Sequence, residues 1–138
     1  MRTVAEMLQG RDMTVEEYLI LNRFWIRIRE VQRERDPNMT KNRDLVGVAL
    51  GYRRIHQQEV DIETLASLTG LGRSSLQKTL KAMERDKMIE LYKDDADKRR
   101  LLVRPTRKYT DRSLDMYEKT RILIEEVERE LKALRAKK

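Results

Sequence analysis

One run constrains this chain more than any other: Asp61 to Asp86, DIETLASLTGLGRSSLQKTLKAMERD. Asp61 is an N-cap residue, able to accept from the unpaired backbone N–H groups that open a short helix. Ile62, Leu65, Ala66 and Leu68 form the inner face of that helix. Gly70 can take the positive φ of a tight turn, and Leu71 anchors the chain after it. A second helix follows with Leu76, Leu80 and Met83 inward. The small Ala66 lets the two helices approach, so the run predicts a helix-turn-helix. With the inner face set, Arg73, Ser74, Gln77, Lys78 and Lys81 project outward, as side chains do that meet major-groove base edges and flanking phosphates.

Directly after it, Met88, Ile89, Leu91 and Tyr92 predict a short strand, and Leu101, Leu102 and Val103 a second, ending at Arg104 and Pro105. Residues 93–100 make the polar tip between them, so the pair forms a wing. Asp94, Asp95 and Asp97 stand on one side of the tip and Lys98, Arg99 and Arg100 on the other. Three aspartates can begin a calcium loop, but the Gly and the terminal Glu that such a loop needs are missing at their offsets. Asp97 is expected to pair with a neighbouring arginine and stiffen the tip while Arg99 enters a narrow minor groove.

The charge agrees with a polyanionic partner. The chain carries 31 Lys and Arg against 24 Asp and Glu, net +7. Residues 72–108 alone hold 12 basic and 6 acidic groups, while residues 1–71 are balanced. A local basic patch of this kind is the footprint of a partner whose phosphates release counterions on contact.

Two long helices flank this region. Five Gly and two Pro in 138 residues leave little chain for loops, which predicts a mostly helical protein. Thr14, followed by Glu16 and Glu17, is an N-cap with acidic residues in the first turn, so a helix is expected over 14–35. On a helical wheel Tyr18, Ile20, Leu21, Phe24, Trp25, Ile28 and Val31 share one arc, with Trp25 and Phe24 read as core. Leu19 and Ile26 lie outside it and need a second apolar surface, such as a partner subunit. The tract Asp36, Pro37, Asn38, Met39, Thr40 breaks the helix. A further helix spans about Asn42 to Gln57, where Gly47 and Gly51, four apart, could permit a close helix approach, and His56 is a polar residue at its end. From Thr110 to about residue 136, Tyr117, Thr120, Ile124, Val127, Leu131 and Leu134 follow a 3,4 spacing, extended by Ile122 and Leu123. This reads as an assembly helix that packs with the first helix across a two-fold axis. Leu19, Ile26, Tyr117, Ile124, Val127, Leu131 and Leu134 are the expected dimer interface.

Composition removes other classes. The chain has no cysteine, which excludes disulfides, thiolate metal sites and thiol catalysis, and its one histidine, His56, cannot build a catalytic or metal constellation alone. No cofactor, no metal and no enzymatic activity are therefore expected. No run is long and apolar enough to span a membrane and the first residues lack an apolar leader, so a cytoplasmic protein without a membrane partner is expected.

The order helix, helix, helix-turn-helix, wing, long helix, with the stretch from Leu65 to Thr106, resembles the MarR family of bacterial winged-helix regulators. The likeness rests on Leu65, Ala66, Gly70 and Leu71, then Arg73, Ser74 and Ser75 opening the recognition helix, Glu84, Ile89 with Glu90, and the wing sequence DADKRRLLVRPT. The chain departs from the family at Lys87 and Tyr109, where glycines are usual, and at Gly72, where a capping serine is usual. What the resemblance implies is a mainly α winged helix-turn-helix over 42–108, with 14–35 and 110–136 as dimerisation helices in a single domain. It implies a homodimeric, sequence-specific transcriptional regulator of repressor type on double-stranded DNA with a pseudo-palindromic operator. It also leaves room for a small-molecule effector, although the N-terminal segment lacks the aromatic and polar set of a phenol pocket. Arg73, Gln77, Lys78 and Lys81 would read or flank bases, Ser74 and Ser75 bind phosphate, and Asp97, Lys98, Arg99 and Arg100 form the wing contact. A winged helix can instead serve as a protein-interaction module or a replication or partition accessory factor, since fold does not fix function.

Overall fold

A computed structural model describes residues 1–56 and 58–137. In chain order the elements are α1 (Val4–Met7), α2 (Val15–Arg35), α3 (Lys41–Ile55), β1 (Val60–Asp61), α4 (Ile62–Thr69), α5 (Arg73–Arg85), β2 (Ile89–Lys93), β3 (Leu101–Pro105) and α6 (Arg107–Ala136). They form two compact units: Arg35–Leu114, and Met1–Glu34 with the chain from Asp115 onward.

In the unit of Arg35–Leu114 the local signals work as the sequence predicts. Asp61 Oδ1 accepts from Thr64 N at 2.7 Å and caps α4, and Gly70 ends α4 at φ 72°. Leu65, Leu76, Leu80 and Met83 are all but fully buried, and with Val46, Leu50, Val60, Ile89 and Val103 they make one core. Leu68 departs from its expected place: it is exposed on the outer side of α4. Helix α3 begins one residue before the expected Asn42, on an N-cap at Thr40, and has His56 as its C-cap; its expected end at Gln57 lies outside the described residues.

The sheet has three strands rather than the two expected. Its order is β1-β3-β2, antiparallel throughout, with Val60 opposite Val103 and Val103 opposite Leu91. The turn into β2 passes through Lys87 at φ 59°, the left-handed region that favours glycine. Lys87, at a position where the resemblance leads one to expect glycine, thus adopts a backbone shape that glycine favours. Of the paired glycines on α3, only Gly47 makes a close approach: the hydroxyl of buried Tyr109 occupies the space that a Cβ would fill, whereas among the described residues nothing comes within 4 Å of that space at Gly51.

A set of charged side chains is buried in the same unit. Arg43 grips Asp36 with two hydrogen bonds of 2.7 and 2.9 Å and reaches Asp86, the C-cap of α5, at 2.8 Å. Arg35 pairs with Asp44 at 2.8 Å and lies over the Tyr109 ring.

In the other unit α2 and the later turns of α6 run antiparallel. The ion pairs Glu34–Lys119, Arg27–Glu126, Arg23–Glu130 and Glu17–Arg135 step along the two helices in opposite directions. Most of these pairs are exposed, so they mark register more than they add stability; the stabilising contact is Val31, Met116 and Leu123 with Phe24 and Ile28. Thr14 and Glu17 form a reciprocal capping box, Thr14 Oγ1 accepting from Glu17 N and Glu17 Oε1 from Thr14 N. Those bonds, with one from Arg135, hold the Glu17 carboxyl below its ordinary range. Trp25, read as core, is 64% exposed: it lies at the edge of the apolar arc, where Phe24 takes the packed position.

Helix α6 starts at Arg107, three residues ahead of the expected Thr110, because Thr106 Oγ1 accepts from Tyr109 N and caps it.

Candidate nucleic-acid interface

Helix α5 presents two unlike faces. Leu76, Thr79, Leu80 and Met83 are buried, while Arg73, Ser74, Ser75, Gln77, Lys78 and Lys81 are all exposed. Its first turn has no acidic residue, and its N-cap, Gly72, offers no side-chain acceptor. The backbone N–H groups there are free of a side-chain cap, which suits an anion at the positive end of the helix dipole. Arg73 approaches Glu63 only at 3.7 Å with both side chains largely exposed, a contact too weak to hold Arg73 away from another anion.

The wing tip is shaped by two aspartates. Asp94 Oδ1 accepts from Ala96 N at 3.0 Å and Asp97 Oδ1 from Arg99 N at 3.1 Å, each closing a local turn. Asp97 does not hold an arginine side chain as expected, because its carboxylate is turned to the Arg99 backbone. The arginine pair that stiffens the hairpin is Asp94–Arg100 at 3.1 Å. Arg100 Nε also donates to Asp61 Oδ2 at 2.9 Å. Lys98 and Arg99 are exposed, and among the described residues neither takes part in an ion pair. On the far strand Arg104 spans Glu90 and lies 4.6 Å from the centre of the Tyr92 ring.

The pairing of Asp61 with Arg100, invisible in the sequence, sets an acid response. Burial raises the Asp61 carboxyl, but hydrogen bonds from Thr64 and Arg100 outweigh it and bring the pKa from 3.8 to about 2. A depressed carboxylate stabilises the fold above its unfolded pKa and loses that contribution as pH falls through the folded value. Asp61 therefore contributes about 2 kcal/mol at neutral pH, lost between about pH 4 and pH 2. Urea titrations across that window will show a smaller loss of stability for Asp61→Asn, which keeps the cap but cannot ionise; an equal loss in both proteins would place the titrating group elsewhere.

The expected interface residues on the two long helices fall into two groups. Leu19, Ile26, Tyr117 and Ile124 are exposed, between 48 and 59%. Val127, Leu131 and Leu134 are half-buried. Among the described residues no group of three or more His, Cys, Asp or Glu could hold a metal, and no helix is long and apolar enough to cross a membrane.

No protein-family model matches this chain, and no curated protein matches it in sequence. Solved structures do match it. RV1404 from Mycobacterium tuberculosis superposes with a TM-score of 0.67 at 18% identity, over 99% of this chain and 92% of that one. NadR in complex with 4-hydroxyphenylacetate gives 0.61 at 20% identity, over 99% and 93%. A variant of MepR from S. aureus, bound to an oligodeoxyribonucleotide, gives 0.59 at 19% identity, over 96% and 84%. Identities this low establish architecture, and the architecture is the winged helix-turn-helix.

Proposed function

We propose that this chain is a sequence-specific, DNA-binding transcriptional regulator that acts in the cytoplasm as a homodimer on a pseudo-palindromic operator, without enzymatic chemistry. The observation that carries the proposal is the outward face of α5, where Arg73, Gln77, Lys78 and Lys81 stand exposed over a core-locked Leu76, Leu80 and Met83. In this reading Arg73, Gln77 and Lys78 read base edges, and Ser74 and Ser75 take phosphate at the helix N-terminus. Lys98 and Arg99 reach the adjacent minor groove, with Asp97 shaping the backbone behind them.

The helices over 14–35 and 110–136 serve as the dimerisation part, and 42–108 as the DNA-binding part. Leu19, Ile26, Tyr117 and Ile124 supply apolar surface for a second copy, which Val127, Leu131 and Leu134 extend. Two recognition helices would then meet half-sites about 34 Å apart. The likeness to NadR, seen with 4-hydroxyphenylacetate, extends the proposal to a small-molecule effector.

The test is selection of bound fragments from a sheared genomic library, followed by anisotropy titration at several salt concentrations. The expected result is an inverted repeat bound at least about a thousandfold more tightly than random duplex. Salt-sensitive binding with no enriched sequence would overturn it and favour a protein-interaction module. Replacing Arg99 with Ala is expected to weaken binding about tenfold and to lower the salt slope by about one. An unchanged affinity and slope would remove the wing from the interface.

A further inference from the structure

We propose that Arg100 is a positioning residue: it makes no contact with DNA but ties the wing tip to the cap of α4, so that Lys98 and Arg99 are held in place before a duplex arrives. The inference rests on the reading of α5 and the wing as the DNA-contacting surface.

Both of its partners are already anchored. Asp61 places one carboxylate oxygen on Thr64 N at 2.7 Å and the other on Arg100 Nε at 2.9 Å. Asp94 places one oxygen on Ala96 N at 3.0 Å and the other on Arg100 Nη1 at 3.1 Å. One guanidinium thus bridges the first turn of α4 and the wing loop, residues 39 and 6 positions away in sequence. The backbone of Arg100 closes the same loop, its N–H donating to Asp97 O at 2.9 Å and its carbonyl accepting from Asp94 N at 3.0 Å. Side chain and main chain therefore fix the tip from both directions.

Charge decides between positioning and direct contact. Arg100 faces Asp61, Asp94 and, at 3.9 Å, Glu59. Its positive charge is balanced locally, and a phosphate would have to displace carboxylates held by backbone hydrogen bonds. Lys98 and Arg99, exposed two positions or fewer away, have no such competition. The bridge also needs a planar fork, with Nε and Nη1 aimed at different carboxylates, a geometry that lysine cannot supply.

The two roles predict opposite signs for one variant. Asp61→Asn combined with Asp94→Asn keeps the N-cap and the turn acceptor but removes two negative charges and frees Arg100. If Arg100 contacted DNA, this variant would bind more tightly. If Arg100 positions the wing, binding weakens although repulsion has been reduced, by about fivefold or more, as is typical of losing charge-assisted hydrogen bonds. Anisotropy is read with the full chain on the duplex selected by the wild-type protein, with circular dichroism confirming the fold. Arg100→Lys is expected to weaken binding as well, and adding Arg100→Ala to the double variant should cost nothing further. Tighter binding by the double variant, wild-type affinity of Arg100→Lys, or additive losses would each overturn the proposal.

Amide exchange in the free protein separates its failure from that of the function itself. Arg100→Ala is expected to speed exchange at Ala96 and Arg99, whose N–H groups close the tip turns. If the wild-type protein binds no DNA, the regulator reading falls while faster exchange still supports the tie; unchanged exchange overturns the tie whatever the DNA result.

Discussion

Replacing Gly47 with alanine will destabilise the fold by about 2–4 kcal/mol, although alanine is the better helix former by about 1 kcal/mol. A Cβ at this position would lie 2.2 Å from Tyr109 Oη and 3.3 Å from Arg35 Nη1. Neither neighbour can retreat easily. Tyr109 is 2% exposed within the core, and Val46 and Leu50, which flank Gly47 on α3, are fully buried. The compensating change is specific. Tyr109 Oη is buried with no hydrogen-bond partner among the described residues, and burial pushes its pKa up to about 12. Tyr109→Phe removes both the clashing atom and an unsatisfied hydroxyl, so alone it is neutral or stabilising by up to about 1 kcal/mol. Combined with Gly47→Ala it should restore most of the lost stability, read as the urea midpoint at constant m-value. Wild-type stability of Gly47→Ala by itself would show that the phenol is not seated on α3.

The second large effect concerns Arg43. Arg43→Met will cost about 3–5 kcal/mol, because Asp36, 1% exposed, would be left buried without the fork that balances it. Loss of the bond from Arg43 to Asp86 also weakens the tie between the end of α5 and the segment that carries Asp36, leaving there the bond from Asn38 Nδ2 to Asp86 at 3.1 Å. Removing both charges, with Asp36→Leu added, should recover much of the loss, since an apolar pair needs no compensation. If the double variant is as unstable as Arg43→Met, the cost lies in packing and not in the stranded carboxylate.

Local signals made most of this fold readable. Asp61 and Gly70 act within four residues of themselves, and a helix whose apolar side chains recur every three or four positions announces its buried face. That is why Leu76, Leu80 and Met83, and with them the outward set on α5, follow from the letters alone. The unread features depend on contacts that no local pattern encodes. Strand β1 is two residues long, too short for any alternation, and exists only because β3 lies beside it about 40 positions later. Arg100 looks like one more free cation in a basic wing until Asp61 is brought against it. The tract from Asp36 to Thr40 reads as a break between helices, yet Asp36 within it and Arg35 and Arg43 on either side are all buried. Trp25 shows the limit of a helical wheel, which ranks positions around an axis but does not say how wide the neighbouring helix is. The Thr106 cap, by contrast, is a local signal: a threonine follows Pro105 three residues before Tyr109, as able to start a helix as the later Thr110.

The division of the chain has a consequence for synthesis. Residues 35–114 are contiguous, so that unit is complete on the ribosome as soon as its own segment has emerged. Helix α2 has to wait, since Arg23 and Glu17 meet partners 107 and 118 positions further on. At about 5–20 residues per second, that interval lasts on the order of five to twenty seconds. Throughout it Phe24, Ile28 and Val31 have no helix to cover them. The nascent chain thus comes to carry a completed Arg35–Leu114 unit behind an uncovered apolar helix, and that helix is where a chaperone or a neighbouring nascent chain would engage first.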